Sequence, residues 1–142
     1  MSPSRLLVSL AGLALLSAAA TAQAGTVTGR WLNLQEKGVI ELYECGPKIC
    51  GRARPMDSQK NGPDVKDVKN HDPALRDRSV NGLQIIQDFA GGPGVYTGGK
   101  IYRPTDGNTY AGKLELVDDQ TLKLTGCVTS FLCQSQLWKR VP

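Results

Sequence analysis

The stretch TYAGKLELVDDQTLKLTGC, Thr109 to Cys127, decides the fold of this chain. Leu114 and Leu116 bracket Glu115, and Leu122 and Leu124 bracket Lys123, so apolar and charged residues alternate on both sides of Asp118-Asp119. A period of two puts all four leucines on one face and the charges on the other, which is a half-buried strand pair and cannot be an amphipathic helix. The two aspartates supply the turn, since their side chains bond their own backbone in tight reversals. The stretch predicts an antiparallel hairpin, Thr109–Val117 with Thr121–Cys127.

The same alternation recurs outward in both directions and predicts six more strands: Thr26–Leu34, Val39–Cys45, Ile49–Arg54, Val80–Phe89, Val95–Tyr102 and Gln134–Val141. Between them lie Glu36-Lys37-Gly38, Gly46-Pro47, Gly91-Gly92-Pro93-Gly94 and Pro104-Thr105-Asp106-Gly107, residue types that reverse a chain. Connections this short make sequence neighbours into sheet neighbours. Eight such strands predict an all-β, antiparallel up-and-down barrel, because closure removes the edges an open sheet would expose. Glycines inside the expected strands, Gly29, Gly51, Gly82, Gly98, Gly99, Gly112 and Gly126, fit strands that bend sharply to close. Ile40, Leu42, Leu114, Leu116, Leu122 and Leu124 are the expected inward residues.

The chain has 142 residues. Its start, MSPSRLLVSLAGLALLSAAATAQA, has one arginine, an apolar run from Leu6 to Ala20 and small residues at Ala22 and Ala24, the pattern of a signal peptide cut after Ala24. Gly25 follows the cut where a lipid-anchored protein would carry cysteine, so residues 25–142 are expected as one soluble domain, periplasmic or secreted, without a membrane span. Beyond Arg5 the chain carries 16 basic and 13 acidic residues, too balanced a mixture to predict nucleic-acid binding. Cys45, Cys50, Cys127 and Cys133 enter an oxidising compartment on this reading and are expected as disulfides. Three pairings are open; Cys45–Cys50 and Cys127–Cys133 are favoured because each closes a short loop. A four-thiolate zinc site is the competing reading, with spacers looser than such sites use.

Only Met56–Ser79 breaks the rhythm, about two dozen residues without strand character, and loops of that length in compact domains are functional or disordered. It holds DVKDVKNHDPALRDR, Asp64 to Arg78, with four aspartates and the single histidine, His71. Asp64, Asp67, Asn70 and Asp72 fit no EF-hand register, and His71 has no second histidine to share a metal. Asp72-Pro73-Ala74-Leu75 reads as a capped start of a short helix with Leu75 as its inward anchor, and Arg76 and Arg78 can reach back to the carboxylates. A self-capped cover over one barrel mouth is the expectation, with Asp67 and Asn70 as candidate ligand contacts. GVYTGGK, Gly94 to Lys100, mimics a phosphate-binding loop, but Ile101 stands where a magnesium-holding hydroxyl belongs and a strand follows where a helix is needed.

At the chain ends Gly29-Arg30-Trp31 opens the first strand and Trp138-Lys139-Arg140 closes the last. A G-x-W with a cation from the final strand across the ring resembles the signature of lipocalins and their calycin relatives, where a cation–π contact staples the strands that close the barrel. More widely, GRW at Gly29, CGPKICG at Cys45, DVKNHDPALR at Asp67, GGKIYRPTDGNTY at Gly98 and QLWKR at Gln136 resemble a family of bacterial secreted proteins, domain-of-unknown-function family 2147. The resemblance implies a lipocalin-like barrel and no established activity. His71 stands where that family more often has proline, Arg103 where it carries an acidic residue, and Cys127 and Cys133 where many relatives have no cysteine.

The expected function is therefore a barrel binding a small apolar or amphipathic ligand, with Trp31, Tyr102 and Tyr110 as pocket surface beside Asp67 and Asn70, and Trp31 and Arg140 as the structural closure. An envelope interaction module with a filled barrel and a protein partner is the alternative, and an enzyme using Asp67 as acid or base trails both. No catalytic residue, cofactor or metal is assigned.

Overall fold

The computed structural model describes residues 25–56 and 62–142; the expected signal peptide lies outside them. Eight strands follow one another: β1 Gly29–Asn33, β2 Gly38–Cys45, β3 Lys48–Arg54, β4 Gln84–Gly91, β5 Val95–Arg103, β6 Asn108–Asp118, β7 Thr121–Cys127 and β8 Cys133–Val141. Each pairs antiparallel with the next, and β8 returns to β1, so the sheet is a closed up-and-down barrel. The hairpin Thr109–Cys127 is built as its alternation requires. Leu114 faces Leu124 and Leu116 faces Leu122 across β6 and β7, and of the six expected inward residues all are buried except Leu116, which packs against the core while partly exposed.

Trp31 and Arg140 are register partners across the β1–β8 seam. The guanidinium lies 4.2 Å from the centre of the fully buried indole. Its nitrogens donate to the carbonyls of Thr26 at 2.6 Å, Thr28 at 2.9 Å and Asp119 at 2.6 Å, and the indole Nε1 donates to Val27 O at 2.9 Å. One side chain thus ties β8, the segment entering β1 and the β6–β7 turn. That segment spends its carbonyls on side chains, which is why β1 begins at Gly29 and not at the expected Thr26. Gly29 itself has φ +121°, and a Cβ there would sit 2.8 Å from an Arg140 nitrogen.

The other boundary that shifts by more than two residues is the start of β4. Val80 donates to Val65 O and Leu83 donates back to Val80 O, a turn completed by left-handed Gly82 at φ +81°, so regular pairing starts at Gln84 instead of Val80. The expected short helix is a single 3-10 turn, Pro73–Leu75, with Asp72 capping Ala74 N at 2.9 Å. Leu75 is not an anchor: it is exposed, and the turn buries no residue. Three residues make one turn and present no face to a core.

The cysteines are paired as Cys45–Cys50 and Cys127–Cys133, across the β2–β3 and β7–β8 hairpins, which removes the zinc alternative. Among the described residues no helix is long and apolar enough to cross a membrane.

Candidate functional site

The barrel is filled at one end and open at the other. Around Trp31 the fully buried Leu42, Phe89, Leu114 and Leu122 close the interior. Toward the ends of β1, β3, β5 and β7 lies a cavity of about 340 Å³. Ile40, Ile86, Ile101, Leu124 and Trp138 are among its apolar walls, while Asn33, Glu36, Arg103, Tyr110, Gln134 and Gln136 bring polar atoms to it. Apolar walls with a few polar groups at one side, at this volume, are the usual form of a small-molecule site.

The polar side is ordered by its own hydrogen bonds. Asn33 is buried in β1, two positions after Trp31 and so on the same inward phase. Its Oδ1 accepts from Gln35 N at 3.0 Å and Glu36 N at 3.2 Å, fixing the β1–β2 turn, and its Nδ2 donates to Gln136 Oε1 at 3.0 Å across the seam. Across the mouth, Arg103 Nε donates to Glu36 Oε1 at 2.6 Å and Arg103 Nη1 lies 3.3 Å from Asp106. Glu36 belongs to the β1–β2 turn and Arg103 ends β5, half a barrel away, so the pair spans the opening. Tyr110 donates its hydroxyl to Asp106 at 2.6 Å. Burial would raise the Asp106 carboxyl, but the bonds from Tyr110 and the Asn108 amide, with the Arg103 charge, outweigh it and hold the group below its usual range.

Asp67 and Asn70, the expected ligand contacts on the long connector, are not part of this cavity; none of its lining residues comes from 62–83. Asp67 is completely buried. Its Oδ1 accepts from the Tyr102 hydroxyl at 2.6 Å, and its Oδ2 accepts from Asn70 Nδ2 at 2.9 Å and from Arg78 Nε at 2.9 Å, with Arg78 Nη2 at 2.8 Å. Burial pushes the carboxyl up, yet these donors together bring it below the ordinary aspartate value. Tyr102 responds in the opposite sense: burial, then the Asp67 carboxylate, raises its phenol. A carboxylate fully engaged with donors of its own chain is a poor proton acceptor. Its work is to pin the connector to β5, and Gly107 helps: at φ +76° it lies so close to the Lys69 carbonyl that a Cβ would collide with it. Two other connector acids are engaged locally, Asp64 with Lys66 and Ser79, and Asp72 as the cap. Arg78 does reach a carboxylate, whereas Arg76 donates to the Asn70 carbonyl at 2.8 Å.

Of the expected pocket residues, Tyr102 and Tyr110 border the cavity, and Trp31 lies in the packed end. The Tyr102 hydroxyl is turned to Asp67, which leaves Tyr110 as the aromatic group of the polar side. The sequence pattern alone does not single out Asn33, Glu36, Arg103, Gln134, Gln136 and Trp138 as cavity residues. Their signal was present in part: Asn33 shares the phase of Trp31, and Gln136 that of Trp138, so an amide occupies an inward position on each seam strand.

Among solved structures the chain is similar to protein HP1028 from the human pathogen Helicobacter pylori, described as belonging to the lipocalin family, at 25% sequence identity and a TM-score of 0.74, over 83% of this chain and 84% of that one. The comparison with curated proteins returns no match. The family model described as an uncharacterized protein conserved in bacteria, DUF2147, matches residues 29–140, from the glycine that opens β1 to the arginine that closes β8. The chain belongs to that family.

Proposed function

We propose that this protein binds one small apolar or amphipathic molecule inside the open half of its barrel, in the periplasm or outside the cell. The observation that carries the proposal is the 340 Å³ cavity with isoleucine, leucine and tryptophan walls and a hydrogen-bonded polar mouth. An apolar chain of a few carbons gains about 0.8 kcal/mol for each methylene taken from water. A polar head then remains beside Tyr110, Gln134 and Gln136. The similarity to a lipocalin-family protein supports the same reading. An envelope module packed solid would leave no such volume. The extracytoplasmic setting rests on the leader sequence and is compatible with two disulfides.

Titration with the apolar probe N-phenyl-1-naphthylamine, displaced by alkyl alcohols of increasing length, tests it. Binding at one site, a gain in affinity with chain length until the cavity is full, and a loss of tenfold or more in Leu124→Trp are expected. A probe that binds Leu124→Trp and the parent equally would show that the cavity is not the site.

A further inference from the structure

The β7–β8 hairpin ends in a tip unlike the other connections of the barrel. From Thr125 to Leu137 thirteen consecutive residues carry no charge, in a chain of which 21% is charged. Within that run Val128 is 69%, Phe131 88% and Leu132 61% exposed. Leu34 and Leu137, one residue beyond the last β1–β8 register pair, are half exposed on the neighbouring seam. An exposed phenylalanine at a loop apex loses the roughly 1.5–3 kcal/mol that burial would return, and nothing in the barrel covers it.

From this geometry we infer that the Cys127–Cys133 tip is a lipid-docking element, inserting Phe131 and Leu132 into the apolar edge of a bilayer surface while the barrel stays in water. Three observations favour a bilayer over a protein. The tip is a convex loop a few side chains wide, far from the roughly 800 Å² per partner of a stable protein interface, whereas a lipid surface asks only for apolar area. Part of its backbone is satisfied from within: Val128 N donates to Leu132 O at 3.0 Å and Leu132 N to Thr129 Oγ1 at 3.2 Å, which lowers the cost of leaving water. The disulfide holds the loop in one shape, so little conformational freedom remains to be lost on insertion. Val128 and Leu132 also border the cavity, so apolar side chains of the tip reach the cavity mouth. Docking there would join the cavity mouth to the bilayer. The inference concerns the tip alone and stands whether or not the cavity holds a ligand.

Flotation of the oxidised protein, residues 25–142, with phosphatidylcholine vesicles tests it, alongside Phe131→Ser. The Phe131 side chain is exposed and does not border the cavity, so the variant keeps the parent unfolding midpoint and N-phenyl-1-naphthylamine binding. The expected result is co-flotation of the parent that persists in 0.5 M salt and falls at least tenfold in the variant. Absence of co-flotation, equal flotation of the variant, or binding that requires anionic lipid and disappears in salt would each overturn the proposal. So would parent dimers that dissociate in the variant, which would assign the tip to a second copy of the chain. Probe binding, measured on the same samples, reports on the cavity separately.

Discussion

The Phe89 ring covers the Gly99–Gly112 pair of β5 and β6, with its Cζ only 2.7 Å from the place a Cβ on Gly112 would take. Phe89 is completely buried, and Ile101 Cδ1 presses on the same point from the side at 2.6 Å. The missing side chains are what let an aromatic ring fill the closed end of so narrow a barrel.

Gly112→Ala is therefore expected to cost about 1–3 kcal/mol, the penalty for overfilling a packed core. Gly38→Ala is the control, since nothing lies within 4 Å of a Cβ there and its φ is not in the left-handed region; it should change stability by less than about 0.5 kcal/mol. Urea unfolding followed by tryptophan fluorescence measures both. Equal losses at the two sites would mean that the Phe89 contact does not limit the core.

These cases show what the sequence makes legible. Alternation at Leu114, Leu116, Leu122 and Leu124 is a local property, and it carries strand phase, register and, through the short turns, the whole order of the barrel. The pairing of cysteines was legible for the same reason, each pair closing one hairpin. Contacts between distant segments are not encoded that way. Nothing local tells that Asp67 meets Tyr102, 35 positions on, or that Glu36 crosses the mouth to Arg103, 67 positions on. The charged connector accordingly looked like a solvated cover, while its central carboxylate is buried against the barrel wall. Leu75 failed as an anchor because a single 3-10 turn has no second apolar position to share a face with.

Arg140→Lys keeps the charge but lacks the fork that serves Thr26, Thr28 and Asp119 at once. A loss of about 1–3 kcal/mol is expected, and Arg140→Ala should lose about 2–4 kcal/mol, combining charge-assisted hydrogen bonds with the cation–π contact to Trp31. Guanidinium unfolding at fixed pH measures the difference. A lysine variant as stable as the parent would reduce the closure to a generic positive charge.

Asp67→Asn removes the charge opposite Arg78 and turns one acceptor into a donor facing the donors Asn70 and Arg78. A cost of about 2–4 kcal/mol is expected, because buried partners are left unpaired, against about 1–2 kcal/mol for Tyr102→Phe. Probe affinity in the folded fraction should stay within about twofold for Asp67→Asn, since Asp67 does not line the cavity. A full-strength fold with lost binding would move Asp67 from the connector's anchor to the ligand site.

Glu36 and Arg103 bridge the mouth through a partly exposed ion pair. Such pairs contribute up to about 1 kcal/mol, so Glu36→Gln should speed both entry and release of the probe roughly two- to fivefold while leaving the equilibrium affinity almost unchanged. Stopped-flow mixing separates the two. Slower exchange in the variant would contradict a crossing that hinders passage.

On the outer wall Glu41 of β2 sits between two arginines of β3: Arg52 donates from Nε at 3.1 Å and Nη2 at 3.2 Å, and Arg54 from Nε at 2.6 Å. Hydrogen bonds from Arg52, then Arg54, lower its pKa from 4.5 to about 2 against the opposing effect of burial. A carboxyl depressed by folding binds its proton more weakly in the native state, so it stabilises the fold fully above the unfolded value of about 4.5, and this contribution disappears as pH falls toward about 2. The parent should therefore lose its advantage over Glu41→Gln across that window, and the variant's urea midpoint should depend less on pH there. Asp67 titrates in both proteins and cancels in the comparison. An advantage that stays constant from pH 6 to pH 2.5 would mean that Glu41 acts by packing and not by its charge.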